Sequence, residues 1–295
     1  MSSHPFLGRP EELRRARPLA RRNPNRQDGI SMMWKLEPCS AFPYRSAMRE
    51  IQIGKAAVRI APDSATLNRE VAAAIAEHAQ QAAAAERGFT IALSGGSTPK
   101  SVYQLLSEKS CPWDRMHFFF GDERAVPSDH ADSNFRMASE ALLKKVPIPE
   151  ANIHRVETER GATEAAALYE QAVRAFAGPG PGTPRLDLIL LGMGPDGHTA
   201  SLFPDTTALQ ERSRLVVGNF VPKLNADRIT FTYPLINAGK NVWFLTAGAE
   251  KAPMLRNILM GSSDGTRYPA QEVQPAGENT LVWWVDEDAA RGLEA

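Results

Sequence analysis

The chain has 295 residues, 43% hydrophobic and 23% charged, a balance that fits one large α/β domain or two small ones and excludes a fibrous or wholly disordered protein. Its 34 basic and 34 acidic side chains cancel, so overall charge favours neither a nucleic-acid nor a membrane partner. Two cysteines, Cys39 and Cys111, are too few for a disulfide framework, and no apolar run nears the ~20 residues of a bilayer span, so a cytoplasmic setting is expected.

In chain order, the first 47 residues stand apart. Seven arginines lie between Arg9 and Arg26, where Pro10, Pro18 and Pro24 interrupt any helix. A secretory apolar core is missing, and Glu11 and Glu12 count against an organellar leader. Residues 1–47 are expected to be a disordered tail, or an over-long reading frame that truly starts at Met32, Met33 or Met48. Residues 48–295 are expected to form a single domain.

From Asn68 onward, helix-like and strand-like segments alternate. The alanine-rich stretch 69–87 predicts a helix, and FTIAL at 89–93 a buried strand ended by Gly95 and Gly96. A helix is predicted over 99–109, a strand at 116–120 (MHFFF), and helices over 133–145 and 162–176. GPGPGTP at 178–184 reads as a linker. Strands follow at 186–191, 228–233, 242–246 and 281–285, with a helix at 250–259. Strands that are apolar throughout suit a sheet covered on both faces, so the expected fold is doubly wound α/β, mainly parallel, with helices on both faces. Ligands of such sheets bind beyond the carboxyl ends of the strands. Three polar loops fall there: 94–98, 121–134 and 192–201.

SGGSTPK, at 94–100, leaves a strand and opens a helix, with Thr98 as the expected N-cap and Pro99 at the first helical position. Its glycines let backbone N–H groups approach an anion, which makes Ser94, Gly95, Gly96, Ser97 and Thr98 candidates for a monophosphate. In GDERAVPSDHADSN, Arg124 offers a planar fork to phosphate, and Asn134 could take sugar hydroxyls; Asp132 is expected to cap the following helix.

LILLGMGPDGHTASLFP, at 188–204, contains G-x-G-x-x-G, but late in the chain and with Asp196 inside the turn, where its charge opposes a pyrophosphate. The glycines read instead as hinges that present Asp196 and His198 at a strand tip. His198 is suited to accept a proton from water, with Asp196 to orient its ring. His4, His78, His117, His130 and His154 are expected to be structural. No metal site is expected, since an H-x-x-x-H pair and a cysteine cluster are both missing. Lys223, Arg228 and Lys251 either are surface charges or complete a phosphate pocket.

SGGSTPKSVYQLL, FFFGDERAVPSDHADSNFRMA, LDLILLGMGPDGHTASLFP, VPKLNADRITFTYPLINA and GAEKA, in this order from about residue 57 to 285, resemble the 6-phosphogluconolactonase family. The resemblance implies a NagB/RpiA-like fold and hydrolysis of 6-phospho-D-glucono-1,5-lactone in the pentose phosphate pathway. It implies no metal and no organic cofactor, with a small phosphosugar lactone as partner and a monomer or small homo-oligomer. His198 would be the general base beside Asp196, and the glycine loop, Arg124, Lys223, Arg228 and Lys251 would surround the phosphate. The family often has two prolines where this chain has Leu224, Asn225 and Ala226, and the arginine-rich front is not a family feature. The rival enzyme, a glucosamine-6-phosphate deaminase, resembles Asp-Glu-Tyr rather than Asp122-Glu123-Arg124, and Gly-His-Ile-Ala-Phe rather than Gly-His-Thr-Ala-Ser. A non-catalytic phosphosugar sensor would carry a helix-turn-helix in front, which the proline-broken segment does not offer.

Overall fold

A computed structural model describes residues 48–178, 182–262 and 264–293. The expectation for residues 1–47 lies outside the described residues, as does Cys39. Tyr44–Ala295 form one compact unit.

The chain opens with a hairpin, β1 (Arg49–Ile53) and β2 (Ala56–Ala61), that enters the main sheet. Helix α1 (Ser64–Ala84) begins earlier than its alanine content suggests because Asp63 caps it, accepting a hydrogen bond from the Thr66 amide at 2.6 Å. Its buried residues Leu67, Val71, Ile75 and Ala79 recur every fourth position and form one apolar stripe. Next come β3 (Phe89–Leu93), α2 (Ser97–Leu106), β4 (Met116–Phe120), β5 (Asp122–Arg124) and α3 (Asn134–Ala138), which runs into a π turn at Ser139–Leu143. The second half contains α4 (Ala162–Ala177), β6 (Leu188–Leu191), β7 (Val216–Val221), β8 (Ala226–Phe231), α5 (Tyr233–Ile236), β9 (Asn241–Thr246), α6 (Ala252–Met260) and β10 (Thr280–Asp286).

Seven strands form the main sheet in the order β1-β2-β10-β9-β6-β3-β4, parallel apart from the β1–β2 pair. Every residue of β3 and β6 is buried, as strands covered on both faces require. This is the mainly parallel α/β architecture expected. One correction concerns the stretch expected at 228–233. It forms β8, but in a separate antiparallel sheet ordered β5-β8-β7 rather than in the parallel one. The segment 121–134, expected as loop throughout, contributes β5 to that sheet. Strand β7 carries Gly218, where a side chain would meet the backbone of Ala162 at 3.1 Å, so a close helix approach explains the glycine. Gly121 joins the two sheets: its amide donates to Leu93 O at 2.9 Å, and its carbonyl accepts from the Phe231 amide at 2.8 Å. The carboxyl ends of β3, β4, β6 and β9 thus open onto a cleft walled on one side by the small sheet.

Candidate active site

The histidine loop leaves β6 at Leu191. Its turn is closed by hydrogen bonds from Gly194 N to His198 O (2.9 Å) and from Gly197 N to Gly194 O (3.1 Å). Gly197 has φ +78°, a conformation side chains resist. Gly194 is required for a different reason, which revises the hinge reading: a Cβ there would lie 2.0 Å from His198 Nδ1. The ring therefore packs against a bare backbone, and it stacks on Phe203 with centroids 3.9 Å apart. Nδ1 lies 2.5 Å from Asp196 Oδ1. An ionised carboxylate only accepts, so Nδ1 donates to Asp196, and in the neutral ring Nε2 is the nitrogen that can accept a proton. The second Asp196 oxygen accepts from Lys223 Nζ at 2.8 Å. The hydrogen bond from His198, aided by Lys223 and opposed by burial, holds the Asp196 carboxyl well below the usual carboxylate range.

Around the glycine loop, Tyr103 is wholly buried and its hydroxyl donates to Ser94 O and accepts from Ser94 N, both at 2.9 Å, which fixes the end of β3. Ser94 Oγ is buried and has no hydrogen-bond partner among the described residues. Gly95 is an obligate glycine because a Cβ would stand 2.0 Å from Asn134 Oδ1. The expected Thr98 cap is not formed. The helix starts at Ser97 behind Gly96 (φ +112°), with no side-chain cap, which leaves the first amides of α2 open to an anion. Asp132 is not a cap either: Ser133 caps α3, accepting from the Arg136 amide at 3.1 Å, and the Asp132 carbonyl accepts from Arg124 Nη1.

Arg124 and Arg228 face each other across β5 and β8. Burial, then the like charge of Arg124, pulls the Arg228 guanidinium below its ordinary pKa. Among the described residues no carboxylate forms an ion pair with Arg228. Two cross-strand guanidinium groups, one of them half-buried and without a carboxylate ion pair, suit an anionic ligand.

These groups line two adjoining lobes. One, about 220 Å³, is bordered by Ser94, Gly95, Gly96, Ser97, Thr98, Asn134 and Lys251. The other, about 360 Å³, is bordered by Asp196, Lys223 and Arg228. His198, Arg124 and Asp122 border both. All the sequence-predicted site residues thus face one bipartite cleft, with a total volume suited to a small polar ligand, but the cations expected around one phosphate are divided between its two halves. Lys251 Nζ lies 3.3 Å from Met193 O at the edge of the first lobe. Sequence reasoning passed over Asp122, which is 8% exposed and receives hydrogen bonds from Ser201 Oγ (2.7 Å) and Asn134 Nδ2 (3.2 Å). Its place just after Gly121 at a strand tip was the available signal. No cluster of three or more His, Cys, Asp or Glu side chains able to hold a metal occurs among the described residues.

Fold and site together define an α/β protein for small anionic ligands, built around a carboxylate-oriented histidine at a strand tip. Comparison with known proteins specifies the class further. Residues 62–283 match the family described as glucosamine-6-phosphate isomerases/6-phosphogluconolactonase. A 6-phosphogluconolactonase of Nostoc is 47% identical over 243 residues, covering 81% of this chain and 98% of the relative. One from Synechocystis is 50% identical over 215 residues, covering 72% and 88%. Among solved structures, 6-phosphogluconolactonase from Thermotoga maritima superposes with TM-score 0.68 at 33% identity, covering 78% of this chain and 99% of that one. The Trypanosoma brucei enzyme gives 0.72 at 27% identity, covering 82% and 100%. The chain belongs to the glucosamine-6-phosphate isomerase/6-phosphogluconolactonase family, and the relatives named here are lactonases.

Proposed function

We propose that the chain hydrolyses 6-phospho-D-glucono-1,5-lactone to 6-phospho-D-gluconate, the second step of the oxidative pentose phosphate pathway, with His198 as general base. The observation that carries the mechanism is the His198 ring itself, held through Nδ1 by Asp196 where the two lobes of the cleft meet, which supports Nε2 as the proton acceptor. A δ-lactone is already reactive, so positioning and deprotonation of water suffice. Nε2 takes a proton as water oxygen bonds to C1, and the carbonyl oxygen becomes an oxyanion. The C1–O5 bond then breaks, and the ring oxygen leaves with the proton returned by His198.

Arg124 and Arg228 suit the phosphate best, because a dianion relieves their mutual repulsion. That orientation brings the lactone carbonyl toward the open amides at the start of α2, where an oxyanion gains most. Asn134, Ser94, Ser97, Thr98 and Lys251 then surround C1 and its neighbouring hydroxyls. The reading needs no metal or organic cofactor and no nucleic-acid or membrane partner. No described helix is long and apolar enough to cross a membrane, and the cytoplasm is the setting we propose, with a monomer or small homo-oligomer as the assembly.

The test is acid release from fresh 6-phosphogluconolactone above the spontaneous rate, run beside ammonia release from glucosamine 6-phosphate. Only the first should be accelerated. His198→Ala should lower kcat by about 10²–10⁴, whereas Arg228→Ala should chiefly raise KM, because ground and transition states share the phosphate. Full turnover in the histidine variant removes the mechanism. A kcat loss without a KM change in the arginine variant reverses the substrate in the cleft.

A further inference from the structure

Lys223 sits in the short turn Pro222–Leu224 between β7 and β8, followed by Asn225 in the left-handed region at φ +44°. Its side chain is 64% exposed, yet Nζ lies 2.8 Å from Asp196 Oδ2, across the cleft mouth from its own strand pair. The other oxygen of the same carboxylate holds the His198 ring at 2.5 Å and accepts from the His198 amide at 3.3 Å. Asp196 is therefore shared between an ammonium and an imidazole.

We propose that Lys223 is a positioning residue for the reaction and not a ligand of the phosphate: by drawing on the outer oxygen of Asp196 it keeps the His198 ring in its neutral, proton-accepting form. This rests on the reading of His198 as the base. A carboxylate at hydrogen-bond distance orients an imidazole but also stabilises its protonated form, which accepts no proton. A cation on the far oxygen offsets the second effect and keeps the first. The other charged groups around the ring are Asp122 and Arg124 from β5, which border both lobes with it, Arg228 from β8, which borders the second, and Lys251 from the turn before α6, which borders the first. Of these cations, Lys223 forms the ion pair with Asp196, so its removal leaves the protonated ring as that carboxylate's remaining ion-pair partner among the described residues. Lys223 also ties the small sheet to the histidine loop, but loss of that tether alone would loosen the Asp196 contact and lower the ring's midpoint, whereas loss of the charge raises it.

The experiment compares wild type, Lys223→Ala and Lys223→Arg by NMR titration of the His198 ring, its signal assigned by its loss in His198→Ala. Steady-state kinetics with 6-phosphogluconolactone are run from about pH 5 to 8. An ammonium on the far oxygen of the carboxylate that holds the ring, near solvent, is worth about half a pH unit. Lys223→Ala should raise the ring's titration midpoint and the acid limb of kcat/KM together by that amount, and Lys223→Arg should restore both. Above the limb, KM should change by less than about twofold. A severalfold rise in KM with an unmoved midpoint makes Lys223 a phosphate ligand and overturns the proposal. An unchanged midpoint with unchanged kinetics overturns it too, leaving an inert surface pair. If His198→Ala keeps its turnover while Lys223→Ala still moves the midpoint, the charge sharing stands and the base assignment fails.

Discussion

His198 is held by three neighbours that do different jobs: Asp196 fixes the tautomer, Phe203 the plane of the ring, and Gly194 the space it occupies. The third is the least obvious and the easiest to probe. Gly194 does not have the positive φ of Gly197, so an alanine there is tolerated by the backbone but collides with Nδ1. We expect Gly194→Ala to fold with little change in Tm while kcat falls by ~10²-fold or more, the cost of a misplaced catalytic group. A melting curve beside a progress curve checks it, and an active variant would show that the ring has freedom the packing denies. At this scale the sequence was informative about which residues matter but not about their partners. A histidine between glycines at a strand tip announces itself, and so do arginine and lysine in polar loops. That Lys223 meets Asp196 27 positions away depends on how the β7–β8 turn hangs over the cleft, which no local pattern encodes.

Among the elements, the central strands were the most legible, because burial on both faces writes a continuous apolar run such as FTIAL or MHFFF. Strands β5 and β7 were not. Asp122-Glu123-Arg124 is charged throughout, and β7 is interrupted by a glycine whose reason is Ala162 of α4. Helix starts were misplaced where an aspartate or serine just outside, Asp63 or Ser133, makes the cap. At the entry to β6 lies Asp187, 6% exposed, accepting from Thr90 Oγ1 (2.8 Å), Arg87 Nη1 (2.8 Å) and Lys240 Nζ (2.7 Å). Burial opposes its charge, but the hydrogen bonds from Lys240 and Thr90 outweigh it and lower its pKa. A carboxyl lowered in the folded state stabilises above its unfolded pKa of about 3.9, and that contribution fades as pH falls through the folded value. Asp187→Asn should therefore cost about 1–3 kcal/mol at neutral pH, and the gap between the two proteins should narrow below about pH 4. Denaturant melts at both pH values measure it; a gap independent of pH would mean that packing, not charge, is lost.

For the whole molecule, the doubly wound sheet and the position of its cleft followed from alternating helices and apolar strands. The second sheet did not, since a three-stranded antiparallel addition leaves no periodic trace strong enough to separate from loops. Yet that addition divides the cleft. Ser94 and the amides of α2 belong to the wall made by the parallel sheet; Arg124 and Arg228 belong to the other, and Gly121 is the joint between them. The separation of the walls acts as a gauge that a molecule satisfies only by reaching both. In the proposed orientation, glucono-1,5-lactone without its C6 phosphate has the same reactive ester but would leave the arginine wall untouched. Its kcat/KM should fall by ~10²-fold or more, which a side-by-side assay of the two lactones reads directly. Selectivity in this cleft is then a matter of reach, decided well away from the bond that breaks.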